Sequence, residues 1–597
     1  VLKTRCGIFF ILSGFFLYTA SALASETEPA SELEQIIISK KSAGVSGYAD
    51  IKAEDIYGRQ LFSNLSAGGV DPQSRNPIAD IQTDFSIKGS SFQQVLLLLN
   101  GRKINDPQTG HLSCDIPITK ADISDIALIS SADAISAGPD AIGGSIDFRT
   151  QRPIGDKALL EAAYGSFSTK SGIFSITQKK KQLAARFSLE RVESDGWQDD
   201  TDFKKLTASL FSSLDLAAAD IDYSFGYQEK EYGAFDFYTP GLGYPSKEWT
   251  KTFLSTLTAD IQGDSFNLKP QMLWRRHYDK FMLDKTGVRT SYLNHSRTDI
   301  LSPAINLEKY LEPLGTVNLG QEYAQEKINS TYSGKHTRNR LSTSLEQKKT
   351  IGPLSLNITA RFDHYDTFSE QGSGGIGLGY GLSEHDKLHF SFARNVRIPS
   401  FTELYYSDIT TVSNENLSPE KAFIYELGYE HDKQNYKLDF GLFVRQEQDL
   451  IEWVKRTPSD ATWQAQNIRD AQIQGASLRW RLELNRDFGA VFNYVYTDRR
   501  LKKDSYSYKY GQNYTRHLFS SSLDYSCKIG RQSLVFNYKK KPNRDGWLTV
   551  DAHLNYNIAS HYRAFVNAYD IFNSAYQEIA GVPSPPRSVE FGVAIDW

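Results

Sequence analysis

Hydrophobic and polar residues alternate singly through most of the chain beyond residue 158. In the last ten residues Val589, Phe591, Val593, Ile595 and Trp597 fall on one side of an extended chain, and Ser588, Glu590, Gly592, Ala594 and Asp596 on the other. Tyr436, Leu438, Phe440, Leu442 and Val444 alternate in the same way with Lys437, Asp439, Gly441, Phe443 and Arg445, and Leu548 to Tyr556 repeats the pattern. Side chains point to opposite faces of a strand with period two, so each run predicts a strand with one apolar and one polar face. Charged and amide residues on the second face suit a polar lumen better than a sandwich core. At about 20 residues per strand and loop, residues 156–597 hold roughly 22 strands, a barrel wide enough that its lumen must be plugged.

The pattern changes upstream. Residues 48–152 mix helical spacing, with Ile56, Leu61 and Leu65 apolar between Ile51 and Leu65, with a buried-strand run, Val95 to Leu99, that ends in an Asn100-Gly101 turn. This predicts a small α/β domain next to the barrel. Residues 25–47 are polar and read as a flexible leader with one apolar island, Ile36-Ile37-Ile38. Residues 1–24 read as an export signal: Lys3 and Arg5, an apolar stretch from Gly7 to Tyr18, then Ala22-Leu23-Ala24. The apolar stretch is shorter than the roughly 20 residues of a spanning helix, and Cys6 precedes it, against a lipoprotein anchor. An exported chain without spanning helices crosses a bilayer only as a closed barrel, because open edges leave backbone groups unpaired in lipid. The expected fold is therefore a membrane all-β protein: a transmembrane β-barrel of roughly 22 strands over residues 153–597, with an N-terminal α/β plug domain over 48–152 in its lumen.

Composition adds little but agrees. Aromatic residues are 13% of the chain, with 33 Tyr and 34 Phe, as barrel girdles require. A net charge of −4 gives no reason to expect nucleic acid. Cys114 and Cys527 are expected to be free thiols, and no His or Cys spacing suggests zinc.

Five segments resemble, in order, motifs of the TonB-dependent outer-membrane receptors of the cobalamin and siderophore type. Gly69-Val70-Asp71 is similar to "pGVd", Phe85 to Gly89 to "sIRG", and Val95 to Gly101 to "vLvLldG". Asn105 to His111 is similar to an "NDPQTGH" form, and Asp140 to Ile146 to "dAiGGvIni". Tyr164 to Phe167, Arg397 to Leu404 and Asn567 to Arg587 resemble barrel motifs of the same family. Glu34, Gln35, Ile36, Ile37, Ile38 and Ser39 resemble a TonB box, an apolar segment that adds as a strand to periplasmic TonB. Two positions depart from the family: Lys88 stands for the Arg of "IRG", and Ser130-Ser131-Ala132 for "RGP". Those arginines pair with wall carboxylates in the family, so the departures predict a plug held less firmly by ion pairs.

The resemblance implies an importer of a scarce bulky solute, an iron–siderophore or cobalamin, driven by proton-motive force through TonB and its inner-membrane ExbB-ExbD motor. It implies an outer-membrane location, a monomer, a small-molecule ligand carrying iron or cobalt, and no cofactor of the protein's own. The apical plug loops supply candidate ligand contacts in Gln73, Arg75, Asn76, Asp106, Gln108, Thr109 and His111, a set of mixed donors and acceptors. Phe235, Phe237 and Tyr238 of an aromatic external loop are candidates for stacking on a ligand ring. Asp195, Asp199, Asp200 and Asp202 form a candidate calcium site, without the Gly and spacing of an EF-hand. No nucleophile elbow or similar motif is present, so catalysis is not expected. The alternative is a passive plugged porin, or a surface-binding receptor without active uptake.

Overall fold

The computed structural model describes residues 50–52, 58, 60–457, 459–468, 470–501, 506–511 and 513–597. The proposed export signal and the TonB-box segment Glu34 to Ser39 lie outside them. No helix among the described residues is long and apolar enough to cross a membrane.

Twenty-two antiparallel strands form a closed barrel. It runs from Lys157–Gly165 to Ser588–Asp596, and these two strands close the ring, with Phe591 opposite Tyr164 and Asp596 opposite Leu159. The alternation seen in the sequence sorts the side chains. On the last strand Phe591 and Val593 are exposed while Glu590 and Ala594 are buried; Asp596, at the strand end, is exposed. Leu427, Phe440, Leu442, Leu345 and Ile376 continue an apolar outer belt around the barrel. One end of the barrel has turns of two to four residues; the other carries longer segments, among them 234–246, 398–419, 449–470 and 570–587. Strands Thr411–Val412, Trp463–Asn467, Ile451–Lys455 and Ser507–Tyr508, from three of these longer segments, join into a small sheet of their own.

The lumen is filled. A five-stranded sheet is ordered Asp50–Lys52, Ile123–Ile129, Gly144–Thr150, Val95–Leu99 and Arg102–Lys103. Val95–Leu99 is buried on both faces, as its unbroken apolar run requires, and turns back through Asn100 (φ 50°) and Gly101 (φ 78°). A separate hairpin pairs Val70–Asn76 with Gln82–Ile87. Phe62 joins the two parts, its ring edge-on to Phe85 at 5.0 Å and to Phe148 at 5.9 Å. The same apolar core continues into the wall through Phe211, Leu254, Leu273 and Ile300.

One sequence expectation is corrected at the ends of its segment, residues 53–57 lying outside those described. The helical spacing from Ile51 to Leu65 gives no helix at its described ends: Asp50–Lys52 is a strand paired with Ile123–Ile129, and Ser63–Gly68 is a 3-10 turn. Both ends bury Ile51 and Leu65 in one core, and at the first of them pairing with Ile123–Ile129 sets the backbone. Cys114 and Cys527 are free thiols.

Candidate ligand-binding site

The hairpin tip around residues 76–82 and the loop 105–115 form the plug's surface towards the long-loop end. Both are tied to the wall. Arg275 donates to Asp106, whose carboxylate also accepts from Thr298 Oγ1 at 3.1 Å. Lys230 donates to Asp115 and, at 2.5 Å, to the Ile81 carbonyl. Asp71 pairs with Lys539 at 2.9 Å. Deeper in the plug the fully buried Asp122 accepts from Arg186 (3.0 Å), Ser188 (2.9 Å) and Ser209 (2.6 Å). Thus four plug aspartates meet wall cations or hydroxyls. Lys88 with Glu426 (2.5 Å) and Arg102 with Glu322 (3.4 Å) run in the opposite sense. The plug is not short of ion pairs; most of those named here have the acid on the plug and the base on the wall.

Segment Arg397 to Leu404 clamps the 105–115 loop from above. Ser400 caps the short helix Phe401–Tyr405 and forms a reciprocal box with Glu403. The first backbone N–H groups of that helix donate to the plug carbonyls of Pro107 (2.9 Å) and Gln108 (3.0 Å). Arg397 holds Glu403 at 3.0 Å and Glu420 at 2.7 Å, which fixes the helix to the wall. Tyr405 and Tyr406 are thereby placed over the plug.

A continuous line of rings follows. Tyr510 meets Phe92 at 5.8 Å; Phe92 stacks on His111 at 4.1 Å; His111 lies 6.0 Å from Tyr238. Tyr238 then meets Phe281 (4.9 Å), Phe281 meets Tyr292 (6.1 Å), and Tyr292 stacks on Tyr332 (4.6 Å), which faces Tyr406 at 6.1 Å. Tyr292 and Tyr406 also share a hydroxyl–hydroxyl hydrogen bond. Phe92, Tyr238, Tyr292, Tyr332, Tyr406 and Tyr510 keep partly exposed surface. The arrangement is an aromatic wall rising from the plug into the loops, able to stack on flat ligands and to donate from phenolic hydroxyls.

A model of the TonB dependent receptor-like β-barrel family matches residues 143–571. The chain belongs to the TonB-dependent receptor family. It is 22% identical over 537 residues to the vitamin B12 transporter BtuB of Vibrio vulnificus (strain CMCP6), covering 84% of each chain. Its fold is similar to that of the siderophore receptor PirA from Pseudomonas aeruginosa (TM-score 0.74, 15% identity, 92% of this chain and 99% of that one). It is also similar to PirA from Acinetobacter baumannii (TM-score 0.77, 13% identity, 92% and 98%). Membership places this receptor in the outer membrane, with TonB and a small-molecule ligand as its kinds of partner.

In this receptor the sequence-derived candidates divide. Gln73, Arg75, Asn76, Asp106, Gln108 and His111 are buried, and only Thr109 of that set keeps partial exposure. Gln73 donates to Asp71 (2.8 Å), Arg75 pairs with Asp84 (3.0 Å), and Gln108 donates to Asp279 (3.1 Å). Asn76 reaches the Thr201 carbonyl at 3.3 Å. His111 Nδ1 is 2.8 Å from Asp84. Burial pushes His111 below its usual pKa, against the pull of Asp84. Burial alone would raise Asp84, but His111 and Arg75 hold it at about 2. These residues seat the apical loops. Phe237 is buried in a core with Ile78 and Ile81, while Phe235 and Tyr238 keep partial exposure.

Asp195, Asp199, Asp200 and Asp202 are not gathered into a metal-holding group: no such group occurs among the described residues. Asp200 pairs with Lys285, and Asp195 and Asp199 face solvent. The rings of Phe92, Tyr292, Tyr332, Tyr406 and Tyr510 were not singled out in the sequence. They come from four separate loops and the plug, and only the Tyr405-Tyr406 pair hints at them.

Proposed function

We propose that this receptor imports a scarce, bulky solute of the cobalamin or metal–chelate class, energised by TonB and its ExbB-ExbD motor, and acts as a monomer without catalysis. The observation that carries the reading is the aromatic wall from Phe92 to Tyr406, standing on a plug that fills the barrel. A ligand held there is separated from the periplasm by a sealed domain, so net uptake requires work on the plug. TonB would supply it by taking the leader, through Glu34 to Ser39, as an added strand. The likeness to a vitamin B12 transporter and to siderophore receptors supports the ligand class. The test is accumulation of labelled ligand in cells before and after the proton gradient is dissipated. Energised import predicts that accumulation stops while surface binding persists; unchanged accumulation would favour a passive plugged porin.

A further inference from the structure

We propose that the outward face of the barrel carries a binding site for a phosphorylated, multi-acyl glycolipid of the outer leaflet. The site lies on the five strands Lys247–Gln262, Phe266–Met282, Leu293–Leu311, Gly315–Ser330 and Gly334–Ile351, near their long-loop ends. It is outside the lumen and independent of which solute passes through it.

Register and alternation put six cations on this face. Lys251 lies opposite Tyr278, Tyr278 opposite Arg297, Arg297 opposite Asn329 and Asn329 opposite Lys335, in one outward row. The row beneath runs Phe253, Arg276, Asp299 and Lys327, and Lys280 stands opposite Trp249 in the row above. Thr252, His277, Thr298 and Ile328, which alternate with these residues, are buried against the lumen. Lys251, Arg297, Lys327 and Lys335 are exposed, and Arg276 and Lys280 half-buried.

Only part of this charge is neutralised. Glu229 takes Lys251 at 2.8 Å, and Asp299 takes both Arg276 (2.5 Å) and Arg297 (3.1 Å). Lys247, at the rim, pairs with Glu231 at 2.6 Å. Lys280, Lys327 and Lys335 have no carboxylate partner among the described residues. Elsewhere on the barrel, strands Tyr436–Gln448 and Ala471–Glu483 present the amides Gln446, Gln448, Gln472 and Gln474 outward instead. The outward cations beside those amides, Lys421 and Arg500, are paired with Asp449 and Asp498.

Height and width select the partner. Below the cations the same face turns apolar, with Leu257, Met272, Leu301, Ile305 and Leu341 exposed. Trp249 and Trp274 lie among the cations, Lys280 standing 4.6 Å over the first and Arg276 5.6 Å over the second. Such rings sit at headgroup level in a bilayer, so the lysines stand where lipid phosphates lie, with apolar wall beneath for acyl chains. The longer loops mark the outer side, and the leaflet is therefore the outer one. Strands about 4.8 Å apart make the five-strand patch roughly 20 Å wide. A headgroup with more than one phosphate and several chains covers that width, whereas a two-chain phospholipid reaches a fraction of it. Lysine suits the task, because a compact ammonium on a flexible stem meets phosphate from many directions.

The test titrates the purified, delipidated full-length receptor in detergent with three lipids: diphosphoryl lipid A, the same lipid without its phosphates, and phosphatidylglycerol. Bound lipid is counted by native mass spectrometry. The expected result is saturable binding of diphosphoryl lipid A, at least about 10-fold tighter than either other lipid. The triple variant Lys280→Gln, Lys327→Gln, Lys335→Gln strands no carboxylate and should weaken that binding by on the order of 100-fold. Lys335→Gln alone should weaken it by about 5-fold, which keeps the test decisive should the triple variant fold poorly. Phosphatidylglycerol binding as tightly as lipid A would overturn the glycolipid assignment. Undiminished binding of the dephosphorylated lipid would overturn the role of phosphate. Unchanged lipid A binding by the folded variants would overturn the placement of the site on these strands.

Discussion

Lys88 Nζ lies 2.5 Å from Glu426 Oε1 on the wall strand Glu420–Lys433, and 5.2 Å over the ring of Phe443. The Lys that replaces the family's Arg therefore still bridges plug and wall. Breaking a largely buried pair from one side leaves a charge uncompensated, at a cost of about 3 kcal/mol or more. Lys88→Met should lower plug stability by about that amount in denaturant or pulling measurements. The double variant Lys88→Met, Glu426→Met should recover most of the loss. Equal losses in single and double variants would show that the pair itself contributes little.

The apical loop is held from the wall side. Arg275→Met leaves the buried Asp106 carboxylate with Thr298 Oγ1 and the Gln108 N–H as its donors among the described residues, which should loosen residues 105–115. Cells carrying the variant should become more sensitive to bulky antibiotics normally kept out by the barrel. Unchanged sensitivity would mean that the clamp from Ser400 to Tyr405 holds the loop without this pair.

Asp80 gives a pH signature. Its carboxyl is buried and accepts from the Phe62 N–H at 3.2 Å, and burial raises it to about 7. A carboxyl whose folded pKa lies above its unfolded value binds more protons in the folded state between the two. Stability then falls as pH rises from about 4 to about 7, and the full penalty remains above that. Asp80→Asn should raise plug stability at pH 8, by about 4 kcal/mol at most, and change it little at pH 4. Unfolding curves at the two pH values check the sign; an equal effect at both would contradict it.

The two glycines of the Asp140 to Ile146 segment are demanded by backbone and space. Gly144 has φ 121°, and an added Cβ would sit 2.7 Å from the Ile129 carbonyl oxygen; at Gly143 it would sit 2.5 Å from Ser90 Oγ. Gly144→Ala should prevent correct seating of the plug sheet and sharply reduce folded receptor. Gly101→Ala, where φ is 78° but nothing lies within 4 Å, should cost only about 1 kcal/mol. Comparable yields of folded receptor for the two variants would refute the steric account.

The barrel was legible because period-two alternation records the difference between lipid and lumen at every strand, as Phe440 and Leu442 against Asp439 and Arg445 show. The plug was legible from short glycine-bearing segments whose backbone needs are local, such as Asn100-Gly101 and Gly143-Gly144. At the described ends of the Ile51 to Leu65 segment, the strand Asp50–Lys52 forms by pairing with residues far along the chain, which local spacing does not record. The binding surface was least legible. Polar residues in apical loops look like ligand contacts in sequence, yet Arg75, Asp106 and Gln108 each have a partner that is distant in sequence or buried beside them. The partly exposed rings of Tyr292, Tyr332 and Tyr406 gather only because the barrel closes.

Energised import, as proposed, runs through residues 34–39 of the leader. The deciding measurement is accumulation of radiolabelled cyanocobalamin, or of a labelled metal chelate that the purified receptor binds, in cells whose receptor lacks residues 34–39. Intact receptor in the same strain serves as the reference. Energised import predicts full surface binding with accumulation reduced to the level of cells without the receptor. Accumulation at the intact rate would contradict it.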